Sequence, residues 1–419
     1  MPGEGTAVGD GPATSDDDAA PWDVAVVGAG PAGASAARAA AARGARVLLL
    51  ERASLPRYKT CGGGILAVSE DQAGIVLDGL ARDRVERATF SLRGGWAVTR
   101  RSRNPLFAMV MRADFDAALV EAARAAGAQV RTEVAVTGLR SPAEPGAPDA
   151  GPADAEPADA DPAPPSGPPR PPDGPVELPV RSGPPVRARV VVAADGSASR
   201  FAGYVGVRCD QVDLGLEGEF PAGTLGGRWR GRLLVDWGPV PGSYGWLFPK
   251  GDIVSVGVIG DRERGADLRG YYRELVGRLG LAEVRPVVES GHLVRMRAPG
   301  SPLRRGNVLV AGDAAGLAEP WTREGISYAL RSGRLAGECA ADGRVADYPR
   351  RVEAVLGAEM AAARTALAAF SRRPEAFHVA VTSLPGGFTM FGRLISGRTS
   401  LTRQVRRPGV RQLLEALAA

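Results

Sequence analysis

Asp23-Val24-Ala25-Val26-Val27-Gly28-Ala29-Gly30-Pro31-Ala32-Gly33 opens the stretch that decides the fold, and Val47-Leu48-Leu49-Leu50-Glu51 closes it. An apolar run of strand type leads into Gly28-x-Gly30-x-x-Gly33. An alanine-rich run without strand breakers follows, and a second apolar run ends on an acid. This order predicts a strand–helix–strand unit carrying a dinucleotide-binding turn. Gly28 permits the tight turn, Gly30 lets backbone approach a pyrophosphate, and Gly33 lets the helix sit close to the strand. The helix N-terminus turns free N–H groups and the positive end of its dipole toward phosphates. Glu51 stands at the spacing where an acid accepts hydrogen bonds from a ribose.

The rest of the composition sets bounds on this reading. A chain of 419 residues supports two or three domains and a sizeable core. Aromatic residues are only 5% of it, so any cluster of them is informative. The net charge of +5 is carried almost wholly by arginine in an Ala/Gly/Pro/Arg-rich chain. The basicity follows that bias and does not point to nucleic acid. Cys61, Cys209 and Cys339 are too sparse for a disulfide framework and fit a reducing, cytoplasmic setting. The first residues lack the basic and apolar regions of a signal peptide, and no apolar run has the length of a membrane span. His292 and His378 have no ligand-type neighbours, so no metal site is expected, nor a Ser/His or Cys/His triad. Both histidines read as surface or core residues.

Composition also divides the chain. Residues 1–21 read as a disordered N-terminus. Residues 22–90 and 112–204 read as the first two parts of the nucleotide-binding domain, and 296–345 as the last. Strands of a second domain fall in 91–111, and its main body in 205–295 is rich in short alternating runs. Residues 346–419 read as helical. Residues 141–185 hold 16 of the 34 prolines and read as a disordered insertion. The fold class expected is α/β: a Rossmann-like domain, a smaller mixed or antiparallel β-sheet domain, and a helical C-terminus.

Two further turns follow apolar strands in order, Ala194-Asp195-Gly196 and Gly312-Asp313-Ala314-Ala315-Gly316. With the first fingerprint they resemble the FAD-binding fold of the aromatic hydroxylase group of flavoproteins, in which distant segments converge on one long cofactor. There is no second Gly-x-Gly-x-x-Gly, so no separate nicotinamide domain is encoded. Lys59-Thr60-Cys61-Gly62-Gly63-Gly64 and Tyr244-Gly245-Trp246-Leu247-Phe248-Pro249-Lys250 narrow the likeness. Together they resemble the geranylgeranyl reductase family, FAD-dependent oxidoreductases that saturate isolated double bonds of prenyl chains. The fingerprint and the resemblance together imply an FAD set of Gly28, Gly30, Ala32, Gly33, Glu51, Arg52, Cys61, Gly62, Gly63, Arg112, Asp195, Gly196, Gly312, Asp313, Gly325 and Ile326. One departure stands out. In Pro320-Trp321-Thr322-Arg323-Glu324-Gly325-Ile326, Arg323 occupies a position where the family usually has glycine.

Tyr244, Trp246 and Phe248 are two residues apart, so a strand turns all three to one face. That face reads either as packed core or as an aromatic wall for an apolar chain. Saturating an isolated alkene takes a hydride at one carbon and a proton at the other. π faces favour positive character at the tertiary carbon. Cys61, Tyr58, Lys59 and Tyr244 are proton-donor candidates by type and location; Cys61, in its glycine-rich loop, is preferred. The C-terminal segment carries Arg393, Arg398, Arg403, Arg406, Arg407 and Arg411 among apolar residues. It reads as a packing helix or as a peripheral membrane contact.

The expected function is therefore reduction of C=C bonds in the prenyl chain of an isoprenoid diphosphate, quinone or lipid. The electron source is left open among NADPH, ferredoxin and a deazaflavin, and includes an external donor protein. An FAD-dependent aromatic monooxygenase or halogenase is the first alternative, since such enzymes share the FAD signals. A non-enzymatic membrane-surface flavoprotein is the second.

Overall fold

Val24–Val27 and Val47–Leu50 are almost wholly β-branched or leucine, and such runs are stable as strands only where both faces are covered. In the computed structural model, which describes residues 20–140 and 174–418, they lie parallel, with Val24 opposite Val47. The Val186–Ala193 strand flanks Trp22–Val27 on its other side, and Val308–Val310 lies beyond it, both parallel. Gln129–Arg131 closes one side of the sheet and Arg304–Arg305 the other. The Pro31–Ala41 and Ile326–Ala341 helices pack on this sheet and on each other. Their contact is backbone-close: a Cβ on Gly333 would fall 2.0 Å from the Ala32 carbonyl oxygen. That packing brings the N-terminal ends of two helices and the three Gly- or Asp-bearing turns to the carboxyl ends of the parallel strands, where open α/β sheets bind ligands.

A second, seven-stranded sheet runs in the order Val288–Arg297, Cys209–Pro221, Ile253–Asp261, Tyr244–Lys250, Arg232–Trp237, Arg87–Leu92, Gly95–Arg101. It is antiparallel except where Arg232–Trp237 meets Arg87–Leu92. The Gly265–Arg278 helix covers one face through Leu268, Tyr271, Tyr272 and Leu275. Gly64–Leu66, Phe107–Val110 and Ala81–Val85 make a small third sheet. From Tyr348 on, the chain is helical through Pro408–Ala418.

Two expectations need correction. The second sheet begins at Arg87, inside the segment assigned to the nucleotide-binding domain, and Phe107–Val110 leaves it for the third sheet. The reason is long-range: Arg87–Leu92 is recruited by Arg232–Trp237, a partner no local composition reveals. Nor do residues 174–185 belong to a disordered insertion. Val176–Leu178 pairs with Val186–Ala188, and Val136 bridges Val180. Val176 and Leu178 are fully buried, an alternation concealed by the prolines around it. The remainder of the proposed insertion, residues 141–173, lies outside the described residues, as does most of the N-terminal segment 1–21.

Candidate active site

Gly28 has φ +97°, and a Cβ there would lie 2.4 Å from the Ala194 oxygen; at Gly33 it would lie 1.7 Å from the Gly28 oxygen. Both positions require glycine to build the turn. Gly30 differs. It precedes the Pro31–Ala41 helix without any side-chain cap, and a Cβ on it would meet only an Arg57 Nη atom, at 3.6 Å. The protein thus has no packing reason for glycine at 30, and the space before the uncapped helix end suits a pyrophosphate. Glu51 is buried; its Oε2 accepts the Ala29 N–H at 2.9 Å and its Oε1 the Ala53 N–H at 3.1 Å. Ala32 sits in the first turn of the helix, against Gly312.

Arg57 and Asp116 join this group although the motif reading did not include them. Arg57 Nε lies 3.3 Å from Glu51 Oε2, and its Nη1 lies 3.5 Å from Asp116 Oδ2. Asp116 in turn holds Arg112 through Nε at 2.9 Å and Nη2 at 3.0 Å. The Arg112 guanidinium lies beside the Cys61 thiol. Burial opposes its charge, but Asp116 and Cys61 more than compensate and hold its pKa above the usual range. A line of alternating charged side chains therefore runs from Glu51 through Arg57 and Asp116 to Arg112, beside Cys61.

Asp195 and Gly196 follow the Val186–Ala193 strand. Asp195 Oδ2 caps the Arg200 N–H at 3.1 Å, while its buried Oδ1 has no partner. Burial pushes this carboxyl up, with the Ser199 side chain and the Arg200 N–H opposing. The exposed Arg52 adds positive charge on the same side. Asp313 faces Gly325, whose Cβ would lie 3.6 Å from Asp313 Oδ1, and Gly325 precedes the Ile326–Ala341 helix. Burial alone would raise the Asp313 carboxyl, but the His292 ring and the Lys59 ammonium hold it below the usual range. His292 was read from sequence as a bland residue. Instead its Nε2 lies 3.8 Å from Asp313 Oδ2, 3.0 Å from Lys59 Nζ and 3.4 Å from Ser197 Oγ. No local motif marks it, since its partners lie far away in sequence.

The segment from Tyr58 to Gly63 crosses the inner face of the second sheet. Tyr58 and Thr60 hydroxyls meet Ser290 Oγ at 3.4 and 2.9 Å. Lys250 Nζ donates to the Cys61 carbonyl at 3.0 Å. A Cβ on Gly62 would fall 2.7 Å from the Phe248 ring. Tyr244, Trp246 and Phe248 share this inner face, with ring centroids 6.2 and 6.1 Å apart in succession. Trp246 is buried and donates to Ser255 Oγ at 3.1 Å; Phe248 stacks on Phe107. The Tyr244 hydroxyl donates to the Thr322 carbonyl, and burial pushes its pKa up. Its proton is committed, and Lys59 is occupied by His292, which leaves Cys61 better placed than either. His378 is buried away from this face, beside Trp96. Among the described residues no group of three or more His, Cys, Asp or Glu side chains could hold a metal ion.

The open position at Gly30, the uncapped helix, the unpartnered Asp195 oxygen and the Asp313 turn fit one extended dinucleotide. A fold of this form, with these turns at its strand ends, defines an FAD-dependent oxidoreductase. A family model described as "FAD binding domain" matches residues 21–147. Digeranylgeranylglycerophospholipid reductase 1 of Methanopyrus kandleri is 32% identical over 335 residues, covering 77% of this chain and 80% of that protein. A menaquinone reductase of Mycobacterium tuberculosis is 28% identical, covering 75% and 76%. Among solved structures, a geranylgeranyl bacteriochlorophyll reductase-like protein from Thermoplasma acidophilum matches with TM-score 0.71 at 20% identity, over 94% of this chain and 99% of that one. A flavin-dependent brominase matches with the same TM-score at 16% identity, over 95% and 99%. The chain belongs to the geranylgeranyl reductase family of FAD-dependent oxidoreductases.

Proposed function

We propose that this chain saturates C=C bonds in a geranylgeranyl-type prenyl chain borne by a lipid or quinone. The observation that carries the reading is the row Tyr244–Trp246–Phe248, an apolar π-bearing floor onto which Gly62 of the Cys61–Gly64 loop is pressed. Bound FAD supplies the hydride equivalent, renewed by an external electron donor. Gly28, Gly30, Gly33, Glu51, Arg112, Asp195 and Asp313 belong to the set that would hold it. The aromatic row excludes water from the alkene and favours positive character at its tertiary carbon. The Cys61 thiol gives its proton to the second carbon, and the Arg112 cation beside it faces the charge left on sulfur until water restores the proton. The relatives named as reductases of prenyl lipids and menaquinone support this substrate class.

The decisive experiment is anaerobic incubation of dithionite-reduced, FAD-loaded protein with a digeranylgeranyl glycerophospholipid, a menaquinone and geranylgeranyl diphosphate. A mass gain of two hydrogens per bond reduced is the expected result. Products formed only with oxygen would instead favour the hydroxylase or halogenase alternative.

A peripheral membrane contact belongs to the same proposal. Arg393, Arg398, Arg403, Arg406, Arg407 and Arg411 are all exposed. The apolar side of the Gly387–Ile395 helix turns inward, where Phe388 and Phe391 pack on Phe90 at 6.3 and 5.2 Å. Attraction to an anionic surface would then be chiefly electrostatic. Among the described residues no helix is long and apolar enough to cross a membrane.

A further inference from the structure

We propose that Lys250 and Glu219 are a positioning pair that holds the Cys61 carbonyl and so fixes the direction of the Cys61 thiol. Lys250 Nζ donates to the Cys61 carbonyl at 3.0 Å and to Glu219 Oε1 at 2.8 Å, with Glu217 Oε1 at 3.8 Å. Among the described residues Glu217 Oε1 has no hydrogen-bond partner. Lys250, Glu217 and Glu219 are all buried, at 3, 3 and 5% exposure. If the site needed only packing, apolar side chains of similar volume would serve at least as well. What charge adds is direction: an ammonium on the carbonyl, itself anchored by Glu219, fixes rotation of the Cys61–Gly62 peptide plane.

The surroundings remove other ways of holding the loop. Gly62 touches Phe248 so closely that a Cβ would fall 2.7 Å from the ring, and a Cβ on Gly63 would fall 2.3 Å from the Val110 oxygen. Neither residue has a side chain with which to anchor itself. Cys61 Sγ accepts the Gly63 N–H at 3.4 Å, and Arg112 lies beside it. Burial pushes the Glu217 carboxyl up against the pull of Lys250, which limits the net charge the cluster must carry in the interior.

This inference deepens the alkene-reductase reading and rests on it only for the catalytic readout. Its test uses the full, FAD-loaded chain. Lys250→Met removes the ammonium; combining it with Glu219→Gln removes the carboxylate the first change strands. Cys61 alkylation by iodoacetamide is followed by peptide mass spectrometry, with Cys209 as internal reference. In the double variant the Cys61 rate should rise about tenfold or more, the scale of one lost charge-assisted hydrogen bond, while Cys209 stays within about twofold. Glu219→Gln alone keeps an acceptor for Lys250 Nζ and should stay within about threefold of the unmodified protein, whereas Glu219→Ala should resemble the double variant. On a prenyl substrate, kcat should fall with KM little changed. A folded, flavin-loaded double variant whose Cys61 rate is unchanged or slower overturns the proposal; should that variant fail to fold, the Glu219 pair decides by the same criterion. If the unmodified protein reduces no prenyl substrate, the alkene reading fails while the alkylation arm still judges the Lys250–Glu219 pair.

Discussion

Replacing Arg323 by glycine restores the residue usual for the family, yet it should destabilise this chain. Arg323 has φ +59°, a conformation that costs a side-chain-bearing residue about 1–2 kcal/mol. Glycine relieves that strain but regains roughly 0.4–1 kcal/mol of freedom in the unfolded chain. Against this small gain stands the pair Arg323 Nε–Asp213 Oδ2 at 2.7 Å, with side chains 3 and 4% exposed. Removing one partner of a buried pair costs about 3–5 kcal/mol. The arginine also lies over the Tyr244 ring at 5.8 Å. Arg323→Gly should therefore lose about 2–4 kcal/mol. Asp213→Asn in the same chain removes the stranded charge while keeping an acceptor for Gln211, which donates to Asp213 Oδ2 at 2.9 Å. The double variant should recover about 2 kcal/mol of the loss. Urea unfolding of FAD-loaded protein, read by tryptophan fluorescence and by flavin absorbance, measures each step, and the two probes must coincide for the free energies to hold. A single variant as stable as the unmodified chain, or a double variant that simply sums the two losses, would refute the argument.

Three more outcomes follow from the geometry. Gly30→Ala should fold normally but purify with little flavin, because its Cβ meets only Arg57 at 3.6 Å within the protein; Gly33→Ala, at 1.7 Å from backbone, should not fold. Circular dichroism and bound-flavin absorbance separate the two. Glu324 is pushed up to about 7, first by burial, with Glu319 adding to it against the Ser327 N–H. The folded state then holds a proton the unfolded chain releases near pH 4.5, so this contribution is complete below about 4.5 and lost as pH rises through about 7; Glu324→Gln should flatten that fall in denaturation midpoint. Exchanging Arg403, Arg406 and Arg407 for Gln should weaken co-sedimentation with anionic vesicles about tenfold or more, at about 1 kcal/mol per charge. High salt should do the same to the unmodified chain.

Local patterns account for what could be read from the sequence. The strand–helix–strand unit is one continuous run from Asp23 to Glu51, and the Asp195 and Asp313 turns and the aromatic row each lie within about a dozen residues, so spacing alone reveals them. What stayed hidden depends on pairs far apart in the chain. His292 meets Lys59 and Asp313, and Lys250 meets Cys61, only because the second sheet folds under the 58–63 segment. Arg57 reads as an ordinary loop arginine until Glu51 and Asp116 flank it. The unusual arginine at 323 was visible, but the reason it is tolerated is Asp213, more than a hundred residues earlier.

On the proposed alkene-reductase reading, the inner face of the second sheet explains why one segment would serve two chemistries. Register places Ser290, Glu217, Gly257, Trp246 and Val235 in one row across five strands. The neighbouring row begins at His292 and reaches Tyr244 and Trp237 by way of Gly215 and Ile259. Polar and charged groups therefore lie toward the edge strand and aromatic groups toward the far side. The 58–63 segment runs along the division, its first residues bonded to Ser290 and His292 and its Gly62 pressed on Phe248. An isolated alkene offers no polar atom by which a site can orient it, so it must be held by an apolar floor. Its proton must nevertheless come from a polar group that water does not flood. A donor on the boundary between the two halves meets both demands, and Cys61 is the residue that stands there, with Phe248 against the next residue and Arg112 beside its sulfur.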